Sequence, residues 1–304
     1  MPSPLVLAIP SYSDLAARIA GARGWEVGEV ERRRFSDGEA YQRIVADVRG
    51  REVVLVAGTP DEADTLQAFD LACAVSRYGA ARLTWVLPYF GCQTMERAVR
   101  PGEVVTAKTR ARLLSSVPAT PGGNRLLLLD LHAPGIPFYF HDRVHAFHLY
   151  AKPLVLEAAR AFGGEDFVLA APDAGRAKWV QSLANDLDVP AALVTKRRHG
   201  DGQVEVTGLD ARVQGKTVVI YDDMIRTGGT LLEAARAYLG AGAARCYAVT
   251  THLVLPGDAE ERLLGAGVLE GIAGTDSHPR AARVGAGITV RSVAPLYSEF
   301  LAAG

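Results

Sequence analysis

Residues 218–230 read VVIYDDMIRTGGT, and this segment decides the predicted fold. An apolar run ends at Asp222 and Asp223, a Thr/Gly loop follows, and the residues from Leu231 on have the pattern of a helix. Glycines let the backbone approach an anion closely, and a helix N-terminus adds partial positive charge. Paired carboxylates suit ribose hydroxyls or a hard cation such as Mg2+. The segment predicts a strand, an acidic turn, a phosphate loop and a helix that together hold a phosphorylated sugar. The simpler alternative is an ordinary strand–helix turn with a threonine N-cap.

Short apolar runs alternate with helical patterns along the rest of the chain. Strands that are apolar throughout and alternate with helices indicate parallel sheets covered on both faces. The sequence therefore predicts an α/β protein, with a boundary between two halves near Lys152. The other predicted strands are residues 5–9, 53–57, 83–87, 126–129, 167–170, 191–194 and 246–250.

Polar residues follow four of the predicted strands. Parallel sheets bind ligands beyond the carboxyl ends of their strands, so these residues predict one shared cleft. Lys196 and Arg198 alternate along an extended segment and could reach one phosphate chain together, although a solvated charged face is the usual reading of such a run. The four groups are Asp130 with His132, residues 172–175 (PDAG), residues 196–198 (KRR), and Asp222 with Asp223.

The composition limits the kinds of partner. A net charge of −1 over 304 residues gives no electrostatic reason to expect nucleic acid or an anionic membrane, and no apolar run approaches the length of a membrane span. Cys73, Cys92 and Cys246 are odd in number and widely spaced, which favours a reducing compartment over disulfides or a zinc site. The expected location is the cytoplasm.

Three further features allow a structural or a functional reading. Residues 35–39 (FSDGE) are either a turn with Gly38 at positive φ or an aromatic and acidic surface for a nucleotide. His141, His145 and His148 are interpreted as packing or interface residues rather than metal ligands. Residues 199–203 (HGDGQ) have the composition of a mobile loop tip.

Taken together, a series of motifs resembles the ribose-phosphate diphosphokinase family, the phosphoribosyl-diphosphate (PRPP) synthetases. The resemblance covers nearly the whole chain in the family's order, and its first half is not expected in a phosphoribosyltransferase. The motifs are FSDGE at 35–39, LPYFG at 87–91, TAK at 106–108, DLHA at 130–133, APDAG at 171–175, TKRR at 195–198, YDDMIRTGGT at 221–230, THLVLPG at 251–257 and TDSHP at 275–279.

The resemblance implies transfer of a diphosphoryl group from a nucleoside triphosphate to O1 of ribose 5-phosphate, which gives PRPP and a nucleoside monophosphate. It also implies two phosphoribosyltransferase-like domains, each a mainly parallel sheet flanked by helices. Residues 1–152 would form the nucleotide-side domain and residues 153–290 the domain with the PRPP loop. Residues 291–304 would return to the N-terminal domain. The family assembles from dimers, so a homo-oligomer is expected, with no nucleic acid or membrane partner.

Site roles follow from the same resemblance, motif by motif. Lys196 and Arg198 would stabilise the transition state, and His132 and Asp173 would be Mg2+ ligands. Asp222 and Asp223 would bind the ribose hydroxyls. The 5-phosphate would be held by Thr227, Gly228, Gly229 and Thr230. The diphosphate would be bordered by Ala174, Gly175 and Arg176. The nucleotide would be bound by Phe35, Asp37, Glu39 and Arg97, with the first three acting across a subunit interface.

Two departures from the common family pattern favour the divergent class II synthetases. Thr94 and Met95 stand where the common form has Arg and Gln for the nucleotide, and Arg226 stands where it has an acid before the Thr-Gly-Gly-Thr loop. Class II membership would imply use of several nucleoside triphosphates, activity without inorganic phosphate and little inhibition by ADP. Two alternatives stay open: a non-catalytic regulatory paralogue, and a related diphosphotransferase acting on a different phosphorylated sugar.

Overall fold

The computed structural model describes residues 3–141, 143–198, 204–210 and 213–303, and their side chains outside residues 194–210. The predicted loop tip at residues 199–203 lies outside the described residues. The strands are β1 Leu5–Ala8, β2 Glu26–Val27, β3 Val30–Arg34, β4 Ala40–Ile44, β5 Glu52–Val56, β6 Arg82–Leu87, β7 Asn124–Leu129, β8 Val144–Leu149, β9 Phe167–Ala171, β10 Ala191–Arg198, β11 Val204–Asp210, β12 Thr217–Ile225, β13 Arg245–Leu253, β14 Gly271–Thr275 and β15 Ile288–Arg291. The α-helices are α1 Ser13–Arg23, α2 Glu62–Arg77, α3 Thr106–Ser115, α4 Lys152–Gly163, α5 Ala177–Leu187, α6 Gly229–Gly240, α7 Ala259–Gly265 and α8 Ala294–Ala302. Among the described residues, none of these helices is both long and apolar enough to cross a membrane.

The chain forms two compact units, one comprising the chain up to Tyr150 together with the segment from Ser292 on, and the other Ala151–Arg291. The first unit holds a six-stranded sheet in the order β2-β1-β5-β6-β7-β8, and every neighbouring pair in it is parallel. Helix α8 packs against α1 in this unit. The ring of Phe300 on α8 lies 5.3 Å from that of Phe147 on β8, measured between centroids.

The second unit holds a seven-stranded sheet in the order β11-β10-β9-β12-β13-β14-β15. Its pairs are parallel except for β10 with β11, which is antiparallel. Side chains alternate between the two faces of a strand, so both faces of a sheet covered by helices must be apolar. Val168 and Val218 join one buried cluster with residues of α6 and α7, and Leu169 and Val219 join another with residues of α4 and α5. The predicted α/β class with mainly parallel sheets is confirmed.

Two strands are longer than the apolar pattern predicts. Strand β12 continues through Asp222 and Asp223 to Ile225, because its ladder with β13 runs on to the pair Ile225–Leu253. The acids therefore lie within the last part of a strand, and the predicted acidic turn is wrong. Strand β10 likewise continues to Arg198, so the cations lie on a strand rather than after it.

A hairpin of β3 and β4 stands apart from the six-stranded sheet and pairs antiparallel. The turn between its strands is the FSDGE motif. Gly38 has φ of 92°, the backbone N–H of Glu39 donates to Oδ1 of Asp37 (3.0 Å), and that of Phe35 donates to the carbonyl of Glu39 (2.9 Å). Positive φ favours glycine, so the turn geometry expected from the sequence is confirmed.

Candidate active site

The carboxyl ends of β9 and β12 lie side by side in the second unit, because the two strands pair in parallel from Phe167–Thr217 to Ala170–Ile220. The chain leaves β9 through residues 172–176 and enters α5 at Ala177. Neighbouring strand ends in a parallel sheet meet at one edge, which is where such folds bind ligands. This pairing brings two sequence-predicted groups together, the PDAG segment and the Asp222–Asp223 pair.

Arg176 binds both acids of the pair. Its Nη2 lies 2.6 Å from Oδ2 of Asp223 and its Nε lies 3.4 Å from Oδ1 of Asp222. The same Oδ1 accepts a hydrogen bond from the backbone N–H of Asp223 (2.9 Å). The Asp223 side chain is 5% exposed and that of Arg176 is 16% exposed, so the contact is shielded from water. A charged hydrogen bond in such a setting is stronger than one on the surface.

Burial, and then the neighbouring Asp223 carboxylate, raise the pKa of Asp222 well above its ordinary value, against the opposing effect of Arg176. Asp173 adds a smaller repulsion that acts in the same direction. Two carboxylates this close cannot both ionise at their ordinary pKa values. The pair is therefore an acceptor site whose charge depends on what binds beside it.

The Thr/Gly loop leads from β12 into α6, and the backbone turns at Gly228. Gly228 has φ of 78° and caps the N-terminus of α6. A Cβ atom on it would lie 2.6 Å from Cδ2 of Leu263, so both the backbone conformation and the packing require glycine. Arg262 fixes the loop from the other side by donating from Nη2 to the carbonyl of Thr227 (2.6 Å). The predicted threonine N-cap of the simpler alternative is wrong, because the cap is a glycine.

A glycine cap leaves the start of α6 without a capping side chain of its own. Thr227 and Gly229 are exposed beside it. Backbone N–H groups and the helix dipole make such a terminus favourable for an anion. Arg226 is exposed where the loop begins, so the cation that departs from the common pattern of the resembled family lies at the surface.

The PDAG segment forms a compact turn after β9. Oδ1 of Asp173 accepts the backbone N–H of Gly175 (2.9 Å), and Ala174 and Gly175 are exposed. No hydrogen bond to Oδ2 of Asp173 occurs within the described part of the chain. An aspartate held in this way offers one oxygen to a hard cation.

Strand β10 carries the two candidate catalytic cations. Its backbone is extended through Lys196 and Arg198, which pair with Val206 and Val204 of β11. The register shifts between Thr195 and Lys196, just before these residues. Lys196 and Arg198 thus lie two positions apart on a stretch of β10 that pairs with β11, beyond residues 191–193, which pair with β9.

The DLHA motif in the first unit turns sharply at the end of β7. Asp130 has φ of 36°, an uncommon value for a residue other than glycine, and it is 6% exposed. Two side chains hold the next two backbone amides: Nε2 of His148 accepts from Leu131 (2.9 Å) and Oε1 of Gln93 accepts from His132 (2.8 Å). Burial lowers the pKa of His148 to about 4. His148 therefore accepts as a neutral imidazole that carries its proton on Nδ1.

The candidate nucleotide residues lie in the first unit, on the hairpin and in the segment after β6. Phe35 is 44% exposed, and its ring stands edge-on to Tyr41 with 6.0 Å between centroids. The Arg33 guanidinium lies over both rings. Arg97 is exposed and lies 3.5 Å from Glu96. The hairpin therefore offers an aromatic surface beside the acids Asp37 and Glu39.

Sequence reasoning missed Gln93 and Arg262, and it interpreted His148 as a packing or interface residue. Gln93 and Arg262 follow no strand end and belong to no charge run, so nothing in the local pattern distinguishes them. His148 lies on β8, next to β7 in the sheet, and this pairing brings it to the DLHA turn. Only the pairing of distant segments reveals these three residues.

Comparison with known proteins assigns the family. Residues 5–117 match the family model for the N-terminal domain of ribose phosphate pyrophosphokinase, and residues 145–263 match the phosphoribosyl transferase domain. The ribose-phosphate pyrophosphokinase of Synechococcus elongatus is 35% identical over 88% of this chain and 80% of its own, and that of Vibrio vulnificus is 38% identical over 91% and 87%. The crystal structure of phosphoribosylpyrophosphate synthetase from Mycobacterium smegmatis superimposes with a TM-score of 0.87 at 28% identity, covering 99% of this chain and 98% of that one. These matches support the interpretation as a ribose-phosphate diphosphokinase. They support neither the non-catalytic regulatory paralogue nor the diphosphotransferase for a different sugar. The chain belongs to the ribose-phosphate pyrophosphokinase family.

Proposed function

We propose that this protein transfers the β,γ-diphosphoryl group of ATP, or of another nucleoside triphosphate, to O1 of ribose 5-phosphate, giving PRPP and AMP. The observation that carries the proposal is the continuity of the acid pair with the phosphate loop. Asp222 and Asp223 lie in the last part of the buried strand β12, which ends at Ile225, and the chain then turns at Gly228 into α6. Relatives that carry the pyrophosphokinase name match over most of both chains.

The second unit carries the sugar phosphate in this proposal. The 5-phosphate binds Thr227, Gly228, Gly229 and Thr230, whose hydroxyls and backbone N–H groups supply neutral donors at a helix N-terminus. Asp222 and Asp223 accept hydrogen bonds from the ribose hydroxyls. Ala174, Gly175 and Arg176 border the diphosphate, because they follow the neighbouring strand β9.

Lys196 and Arg198 stabilise the charge that develops on the transferred oxygens. Diphosphoryl transfer demands little covalent chemistry from the protein, so positioning and fixed positive charge account for most of the catalysis. A lysine and an arginine two positions apart on β10 suit this role. The assignment rests on the TKRR motif and on the extended backbone.

Mg2+ is the cofactor that this chemistry calls for. Bound with the triphosphate, it neutralises phosphate charge and orients the group that is transferred. Asp173 fits a hard cation, because a carboxylate oxygen is the ligand that Mg2+ prefers, and His132 is the second proposed ligand. Each lies just after the carboxyl end of a strand in its own unit, Asp173 after β9 and His132 after β7.

The first unit serves the nucleotide in this proposal. Phe35 stacks on the base, Asp37 and Glu39 accept hydrogen bonds from it or from its ribose, and Arg97 pairs with phosphate. Phe35, Asp37 and Glu39 make these contacts across a subunit interface, which requires a homo-oligomer, at least a dimer. The class II character of residues 94–97 (TMER) and of Arg226 favours use of several nucleoside triphosphates without a requirement for phosphate. The proposed location is the cytoplasm.

A product assay tests the proposal. Purified protein is incubated with ribose 5-phosphate, Mg2+ and ATP, GTP or CTP, with and without added phosphate, and the nucleotides are separated by chromatography. The expected result is a nucleoside monophosphate formed together with PRPP, and formation without added phosphate would support the class II assignment. Nucleoside diphosphate as the only product would contradict diphosphoryl transfer.

A further inference from the structure

The Asp222–Asp223 pair could serve two different kinds of ligand. Two adjacent carboxylates at a strand end can coordinate a divalent cation, or they can accept hydrogen bonds from neutral hydroxyls. The sequence is compatible with either a divalent cation or hydroxyl groups as the ligand. The position of Arg176 distinguishes between these two kinds of ligand.

The guanidinium of Arg176 contacts both carboxylates of the pair, so a cation bound to the pair would lie close to a fixed positive charge. The guanidinium contacts one oxygen of each carboxylate, at 2.6 Å for Asp223 and 3.4 Å for Asp222. Arginine stays charged at every relevant pH, and its planar fork keeps its donors at fixed positions. The side chains of Arg176 and Asp223 are both mostly buried, so water screens the charge of Arg176 only weakly.

We infer that Arg176 is a specificity-determining residue that reserves the Asp222–Asp223 pair for hydroxyl donors by excluding divalent cations from it. The inference deepens the proposed function and rests on it for the identity of the hydroxyls as those of ribose. Asp223 has one oxygen bound to the guanidinium, and Oδ1 of Asp222 already accepts a backbone N–H. A divalent cation needs several oxygens at about 2.0–2.6 Å, and at this pair it would share the carboxylates with the guanidinium and be repelled by its charge.

Hydroxyl groups meet no such obstacle. A carboxylate has about four lone-pair sites, so it can accept from an O–H while it stays bound to a guanidinium. A hydroxyl is neutral and is not repelled by Arg176. The same contact that excludes a metal therefore leaves the pair able to bind a diol.

The test counts bound cations in the absence of sugar and nucleotide. Mn2+ binding is measured by electron paramagnetic resonance and calorimetry, at mildly alkaline pH, for the wild type, Arg176→Gln, and the control Lys178→Gln. Lys178 is exposed two positions further along the chain, so the control loses the same charge without touching the pair. Arg176→Gln is expected to bind one Mn2+ more than the wild type and the control. The double variant Arg176→Gln/Asp223→Asn is expected to lose that additional ion.

Equal numbers of bound Mn2+ in the wild type and Arg176→Gln would overturn the inference, and so would an additional ion that survives in the double variant. If Arg176→Gln is too unstable for counting, thermal unfolding with Ca2+ replaces it. Ca2+ should then raise the Tm of Arg176→Gln more than that of the wild type, because a ligand stabilises only a protein that binds it. Equal shifts would contradict the inference. Neither experiment contains a substrate, so its failure is distinct from a failure of the proposed activity.

Discussion

The backbone N–H of His132 donates a 2.8 Å hydrogen bond to Oε1 of Gln93, a side chain that is 1% exposed. The adjacent amide of Leu131 donates to Nε2 of His148, and Asp130 just before it has φ of 36°. Successive backbone groups of the DLHA turn are thus fixed by side chains from two other segments. The turn that presents His132 depends on these residues.

Gln93→Leu should destabilise the protein, since it keeps the side-chain volume but removes the acceptor of the His132 amide. A donor left without a partner costs about 1–3 kcal/mol. The free energy of unfolding is measured in urea, and half-saturation by Mg2+ is measured in the activity assay. The control Gln181→Leu changes an exposed residue of α5 and should cost within about 0.5 kcal/mol. Equal effects of the two variants would mean that the Gln93 contact does not stabilise the turn.

His148 makes the stability of the protein pH-dependent. The pKa of its imidazole is about 4 in the folded chain and 6.5 in an unfolded one, so between these values the unfolded state binds a proton that the folded state does not. Stability that this group contributes above pH 6.5 is therefore lost as the pH falls to about 4. Binding of one full proton would change the free energy of unfolding by roughly 1.4 kcal/mol per pH unit. Because His148 is partly exposed, the change is expected to be smaller than this.

The comparison variant for this prediction is His148→Gln, which keeps an acceptor for Leu131 but does not titrate. The wild type should lose stability relative to this variant as the pH is lowered through that window, as measured by urea unfolding at a series of pH values. A difference between the two proteins that stays constant with pH would refute the role given to His148.

Gly228→Ala should impair both folding and sugar binding. The left-handed conformation costs an alanine about 1–2 kcal/mol, and the new methyl group would also meet Leu263 at 2.6 Å. The control is Gly240→Ala at the end of α6, where nothing lies within 4 Å of a new Cβ, and that change is expected to be stabilising. The stability of both variants is measured by thermal unfolding, and their sugar binding is measured by the KM for ribose 5-phosphate. In a double-mutant cycle with Leu263→Ala, the losses of the two single variants should add up to more than the loss of the double variant, because the clash is absent once the buried Leu263 is truncated. Strict additivity would show that the Leu263 contact contributes nothing.

Lys196→Ala should reduce kcat by about 10²–10³-fold, the usual loss when one group that stabilises a developing charge is removed. Binding of ribose 5-phosphate, measured by calorimetry, should change little, because the phosphate loop and the acid pair lie on β12 and α6. Lys216→Ala is the matched control, since Lys216 pairs with Asp166 on the surface of the same unit. Unchanged turnover in Lys196→Ala would show that β10 does not supply the catalytic cation.

Most of the sheet core could be predicted from the sequence, whereas its polar parts could not. Strands β5 and β9 are apolar on both faces, so their composition alone indicates buried parallel strands. Strand β3 reads VERRR and β8 reads VHAFHL, and neither has an apolar run long enough to be recognised. The end of β12 was missed for the same reason: hydrophobicity stops at Asp222 while the hydrogen-bonded ladder continues.

The residues of the candidate site also divide into those that local sequence predicts and those that depend on contacts between distant segments. Motif residues such as Asp222 and Gly228 could be named because they belong to one continuous stretch of sequence, although β12 continues past the acids. The contact of Arg176 with the acid pair spans 46 positions and exists only because β9 and β12 are neighbours in the sheet. Gln93 and His148 depend in the same way on pairings that no local pattern encodes.

Following the β-phosphorus of ATP tests the central claim most directly. Protein, Mg2+ and ribose 5-phosphate are incubated with ATP that carries radioactive phosphorus at the β position, and sugar phosphates are separated from nucleotides. Diphosphoryl transfer predicts that the label leaves the nucleotide and appears in PRPP, in step with unlabelled AMP. Label that stays in ADP while the sugar gains only the γ-phosphoryl group would contradict the account.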